Sequence, residues 1–301
     1  MTTIVAANAA TQDAPRARPV SRRSWAWLGL LPFLLFALLF LLLPVSFLVI
    51  GSLQDKAGAW TLQNYADLGR PDIVLAFRTT IEISLVTAVA GTLFGFLMAY
   101  AVILGGIPPF LRAPLVTFAG VASNFAGVPL ALAFIFTLSQ LGMVTLFLKQ
   151  TFGISIYQQG FNLFTQTGLE LVSFYFQLPL MILIIAPAID GLKRDWREAA
   201  ENLGATSRQY WRYVALPILM PSLMGTAILL FGNAFGAQAT AYQLTGGTIP
   251  IVAVKIGTQI SGDVFHNVGL GYAMAMAMVV VMSVAIGLYL VLQRRAERWM
   301  R

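Results

Sequence analysis

Asp195–Pro217 reads DWREAAENLGATSRQYWRYVALP, a polar stretch set between the charge-free runs Leu171–Ile189 and Tyr213–Val254, into the second of which it leads. Its punctuation is helical. Asp195 and Glu198 have the spacing of a capping box, which predicts a helix beginning at Asp195. Trp196, Ala199, Ala200 and Leu203 fall at i, i+3, i+4 and i+7 and form one apolar face. Gly204 suits the left-handed residue that closes a helix. Thr206 and Gln209 repeat the capping-box spacing and open a second helix through Tyr210 and Val214, while Pro217 fits a first helical turn. The stretch therefore predicts a short helix, a tight turn and a second helix joined rigidly to an apolar run. Such a device can pass a push from a soluble partner into a bilayer.

The rest of the chain supplies that bilayer. Of 301 residues, 58% are hydrophobic and 10% charged, whereas soluble chains are about a quarter charged. A membrane helix needs about 20 mainly apolar residues. Leu28–Gly51, Ile83–Leu111, Ala113–Leu148 and Val264–Gln293 also lack Lys, Arg, Asp and Glu. They lack the alternation of barrel strands, so the expected fold is an all-α integral membrane protein of about six transmembrane helices.

The expected organisation is a flexible tail over 1–24, a first span over 25–51, an extracytoplasmic loop over 52–76, a core of five spans over 77–292 that includes a cytoplasmic loop at 190–216, and a tail over 293–301. Within the core the spans are expected near Phe77–Leu104, Pro114–Leu138 with a kink at Pro129, Leu169–Ile189, Pro217–Ala241 and Val268–Leu292. Ser139–Gly168 and Tyr242–Asn267 are expected as outer loops.

Charge sets the orientation. Arg16, Arg18, Arg22, Arg23, Arg112, the five Lys and Arg residues of 190–212, Arg294, Arg295, Arg298 and Arg301 all fall on one side. Only Lys56, Arg70, Arg78, Lys149 and Lys255 fall on the other. The positive-inside rule then places both termini in the cytoplasm. The net charge of +7 is spread over loops and tails rather than gathered on one face, which argues against a nucleic-acid partner. With no cysteine, disulfides, thiolate nucleophiles and cysteine metal sites are excluded. His266 stands alone as a solvated or interfacial side chain.

At this point the chain resembles a known family. Glu198-Ala199-Ala200, three residues, Gly204, nine residues, Val214, one residue and Leu216-Pro217 are similar to the EAA signature of binding-protein-dependent ABC importer permeases, with Val214 where isoleucine is usual. The resemblance implies the type I ABC importer permease (MetI-like) fold in a bacterial-type cytoplasmic (inner) membrane. It also implies that Glu198, Ala199, Ala200, Glu201, Gly204, Val214, Leu216 and Pro217 dock into a separate cytoplasmic ABC ATPase. ATP and Mg would bind that ATPase and not this chain, which has no Gly-Lys-Ser or Gly-Lys-Thr. The other implied partners are a second permease subunit, as a heterodimer, and an extracytoplasmic solute-binding protein. The chain itself is then a transport subunit and not an enzyme.

Amides inside spans seek each other or a wet path, so Asn124, Gln177, Asn233 and Gln238 are candidates for the translocation path, with interhelical hydrogen bonding as the plainer role. Glu82 joins them, with Arg78 four residues earlier as a partner on the same helix face. Gly91 with Gly95 and Gly232 with Gly236 permit close helix approach, which favours packing within the chain over a subunit interface. The Leu203-Gly204-Ala205 form, with the Pro217 and Pro221 spacing, resembles permeases of this family for small charged solutes, which implies a solute such as a polyamine; phosphonate, iron and sugar are the alternatives. An ion-coupled secondary transporter would need midplane charges and repeats, and an embedded enzyme convergent acids or bases. Neither pattern is present in the sequence.

Overall fold

The computed structural model describes residues 26–261 and 267–298. The tail over 1–24 and His266 lie outside the described residues. The chain divides into two units, one up to Phe47 and one from Leu48 onward.

The first unit carries α1 (Ala26–Ala37), a π turn at Leu38–Leu42 and the start of α2 (Leu43–Ser52). From Leu30 to Phe47 every side chain except Ala37 is exposed. A helix apolar on all sides is stable only where the solvent is itself apolar.

The second unit continues with α3 (Gln63–Ala66), α4 (Pro71–Leu104), α5 (Pro109–Ser123), α6 (Gly127–Leu138), α7 (Met143–Phe152), α8 (Gln166–Asp190), α9 (Arg194–Asn202), α10 (Ser207–Tyr210), α11 (Leu216–Phe235), α12 (Gln238–Thr245), α13 (Val252–Ser261) and α14 (Val268–Arg298). Among the described residues there are six stretches long and apolar enough to cross a membrane: Gly29–Ser52, Pro71–Leu104, Gly127–Phe152, Gln166–Asp190, Ser207–Phe235 and Val268–Arg295.

The heart of the unit is α4 laid along α8, with α11 against both. Two glycines make the approach possible. A Cβ on Gly91 would lie 2.8 Å from Gln177 Cβ, and one on Gly95 would lie 2.6 Å from Met181 Cβ. Residues four apart on α4 thus receive residues four apart on α8, and the expected intrachain packing of this pair is what the fold uses. Ala88, Ala99, Met181, Ile185, Leu219 and Leu230 close around this contact. A second cluster, including Ile83, Leu130, Val172, Leu244 and Ile251, joins α4, α6, α8, α12 and the start of α13. Thr80 on α4 anchors α13, its hydroxyl accepting from the Val252 N–H at 3.0 Å.

Several expected boundaries move. The second span starts at Pro71, inside the expected outer loop, because Pro71 occupies the first turn after Arg70 in extended backbone. The expected span Pro114–Leu138 does not exist as one helix. It ends at Ser123 and restarts at Gly127, whose φ of +69° breaks the helix, while Asn124 donates its amide to the Gly120 carbonyl at 2.8 Å. Pro129 then falls in the first turn of α6, where no N–H is needed, so it produces no kink. Ser139–Gly168 is not plain loop: it contains α7, closed by Gly153 at φ +65°. The fifth span stops at Phe235 rather than Ala241, and α12 and α13 occupy much of the expected loop Tyr242–Asn267. The sixth helix runs on to Arg298 through most of the expected C-terminal tail.

Both π turns have a common cause. Leu38–Leu42 leads into Leu43-Pro44, and Trp211–Ala215 leads into Leu216-Pro217. In each case the leucine N–H reaches five residues back, to Leu38 and to Trp211. A proline ring inside a helix clashes with the carbonyl four residues earlier, and widening the preceding turn makes room for it.

Candidate functional site

Two features stand out, one at each end of α11. The first is the segment from Arg194 to Pro217. The expected cap at Asp195 is not made: α9 begins at Arg194 after Lys193, with no side-chain cap. Asp195 lies inside the first turn, where a carboxylate favours the helix dipole instead. The helix closes as the sequence predicts. Ala205 N–H bonds the Ala200 carbonyl and Gly204 N–H bonds the Glu201 carbonyl, each at 2.9 Å. Gly204 has φ +77°, which together with this pair of bonds is a Schellman closure. At Thr206 the capping box forms in full, with Thr206 N–H donating to Gln209 Oε1 at 2.7 Å and Gln209 N–H returning to Thr206 Oγ1 at 3.4 Å.

The segment is held by aromatics rather than charge. Tyr210 is buried, and Trp211 meets Tyr100 of α4 edge to face at 5.0 Å. Arg197 pairs with Glu201 at 2.9 Å on the exposed side, and that carboxylate raises the Arg197 pKa above its ordinary value. Exposed pairs of this kind contribute little stability. Glu198, Ala199, Glu201 and Gly204 are exposed, Ala200, Val214, Leu216 and Pro217 half-buried. Leu203 is 88% exposed. It is a large apolar side chain carried outward on a rigid turn.

The second feature is a cavity of about 610 Å³ where two helices break. One break separates α5 from α6, the other α11 from α12. Ala126, Gly127 and Val128 line it from the first, Gly236 to Thr240 from the second, and Ser173, Phe176 and Gln177 from α8. Among the described residues its wall contains no Lys, Arg, His, Asp or Glu. Of the expected path residues, Gln177, Asn233 and Gln238 meet here. Asn124 and Glu82 do not. Asn124 caps α5, and Glu82 lies on α4 in an exposed pair with Arg78 at 2.8 Å. Gln177 is 1% exposed and donates to Thr87 Oγ1 at 2.9 Å, across the contact between α8 and α4. Sequence reasoning missed Ser173, Thr240, Tyr242 and Gln243. Ser173 stands one turn before Gln177 and could have been found by spacing; Thr240 fell at the end of the expected fifth span, and Tyr242 and Gln243 fell in the expected loop.

Residues 81–298, well over half the chain, match the family described as the binding-protein-dependent transport system inner membrane component. The chain belongs to this family. It is a multi-pass inner-membrane permease subunit of an ABC importer, and not an enzyme. The permease is 30% identical over 213 residues to the sulfate transport system permease protein CysT of Salmonella typhimurium, covering 71% of this chain and 72% of that one. It is 25% identical over 231 residues to a probable sulfate transport system permease protein of Nephroselmis olivacea, with 75% and 74% covered. Among solved structures, a bacterial ABC transporter involved in the import of the acidic polysaccharide alginate matches with a TM-score of 0.70, 18% identity, and coverage of 90% of this chain and 95% of that one. At that identity the match speaks for the permease fold.

Proposed function

We propose that this permease passes a small tetrahedral oxyanion of the sulfate class, with its termini in the cytoplasm and its Arg194–Pro217 segment docked on a separate ATPase. The observation that carries the solute reading is the cavity. A polyamine, with several positive charges, calls for carboxylates, and the cavity wall has none among the described residues. An oxyanion is served by neutral donors. Amides from Asn233 and Gln238 border the space beside Gln177 and Thr240, which donate to Thr87 and to the Gly127 carbonyl, and the first turns of α6 and α12 border it too. Leading N–H groups of a helix have no intrahelical partner and favour negative charge. A wall without fixed cations also lets the ion leave, since binding must be weak enough for release. The relatives named for sulfate support the same reading, and the polyamine expectation has no support from them or from the cavity.

In this reading ATP and Mg bind the ATPase, whose closure moves Glu198–Gly204 and, through α10 and the π turn, α11. The helix break at Gly236–Ala237 then changes the cavity at the far end of the same helix. A second permease subunit completes the path and a solute-binding protein delivers the ion. The test is uptake of radiolabelled sulfate by vesicles holding the assembled importer, with molybdate and spermidine as competitors. Sulfate uptake that molybdate lowers and spermidine leaves alone is expected. Uptake of spermidine without sulfate overturns the solute reading.

A further inference from the structure

We infer that a second cleft, between the end of α4 and the approach to α9, seats the phosphate of an anionic phospholipid. The cleft measures about 510 Å³. Its two walls differ in kind. Ile103 and Leu104, at the end of the α4 span, and Trp211 give an apolar and aromatic wall. Lys193 and Arg194 stand on the other wall beside Arg197, Glu198 and Glu201. A free anion would use only the second wall, whereas a phospholipid uses both.

The charges on the polar wall are not balanced. Arg197 is committed to Glu201. Lys193 lies over the Trp196 ring, 5.9 Å from its centre, and Arg194 makes no ion pair among the described residues. Two cations thus face the single remaining carboxylate, Glu198. Leu203, Ala199 and Gly204 do not line the cleft, whereas Glu198 and Glu201 border both it and the surface proposed for the ATPase. The inference rests on the proposed orientation, which puts the cleft at the cytoplasmic leaflet. That leaflet carries anionic lipid, and basic pockets between membrane helices there hold headgroups. Aromatic side chains such as Trp211 and Tyr100 sit readily at this depth.

The test uses the complete importer in phosphatidylcholine nanodiscs containing a minority of phosphatidylglycerol, with retained lipid read by native mass spectrometry. The double substitution Lys193→Gln and Arg194→Gln is expected to lower phosphatidylglycerol retention by roughly fivefold for each cation removed. Exchanging the two, Lys193→Arg with Arg194→Lys, keeps the charge and keeps the lipid, which separates a lost site from a lost fold. Lys149→Gln, at the opposite end, changes nothing. Unaltered retention in the double variant overturns the proposal. So does equal retention of phosphatidylcholine, or displacement by millimolar inorganic phosphate, which assigns the cleft to a free anion. ATPase retention in the same samples reports separately on the coupling reading. Labelling from outside of a cysteine placed at Asn202, in a chain with none of its own, removes the orientation on which both depend.

Discussion

In the proposed cycle the two ends of α11 act by opposite means. At Arg194–Pro217 the working residues are exposed, and a rigid backbone presents them: a Schellman closure, a capping box and an aromatic brace. At the cavity Gln177 and Thr240 are buried while Asn233 and Gln238 are exposed, and the placement of the buried pair comes from neighbouring helices. Gln177 reaches Thr87 ninety positions away in sequence, and Thr240 bonds the Gly127 carbonyl across two helix breaks. One end offers a surface that can change partners without disturbing the fold. At the other, function and packing share the same atoms.

Substitutions should therefore separate. The largest effect on transport belongs to Leu203→Asp. It should cut ATPase retention and sulfate uptake roughly tenfold or more, the equivalent of about 1.4 kcal/mol of interface free energy, while the thermal midpoint stays put because Leu203 touches little of its own chain. A drop in midpoint with ATPase retained would erase the contrast. Gly95→Val reverses the pattern. Its Cβ alone would meet Met181 Cβ at 2.6 Å, and overpacking of this kind costs about 1–3 kcal/mol, read as a lowered midpoint and yield. Asn233→Leu and Gln238→Leu come next. Each removes a neutral donor of about 1 kcal/mol, so uptake should fall by about fivefold with ATPase retention intact. Smallest is Glu82→Gln, which breaks an exposed pair and should shift stability by no more than about 0.5 kcal/mol with uptake unchanged. A large loss there would return Glu82 to the path.

The same contrast explains what could be read in advance. Span number, the closure at Gly204 and the box at Thr206–Gln209 are set by residues within a few positions of each other, and local chemistry is visible in sequence. The cap at Asp195 failed because Arg194 can begin the turn as well, a choice that spacing alone does not decide. The helix breaks were hidden for a different reason. Gly127 and Gly236 sit in apolar runs that look continuous, and while the N–H groups around both breaks bond locally, the Gly127 carbonyl is answered by the distant Thr240. Glu82 drew attention as a carboxylate in a span, and the partner its spacing offered, Arg78, is the one it takes, in an exposed pair. Among the amides, Gln177, Asn233 and Gln238 converge only because α8, α11 and α12 surround one space.

The π turn at Trp211–Ala215 leaves a signature in the burial pattern. Tyr210 and Ala215 are both buried, five positions apart, and Leu219 follows after four. That extra residue is a phase offset. In a straight helix it would amount to about 100° of rotation, so the face that α10 turns toward α4 and the face that α11 turns toward the core are in register only because of it. The heading of the segment proposed to dock, around the axis of α11, is thus encoded as a residue count. Deleting one residue from 211–214 would leave both ends chemically whole and point them in different directions.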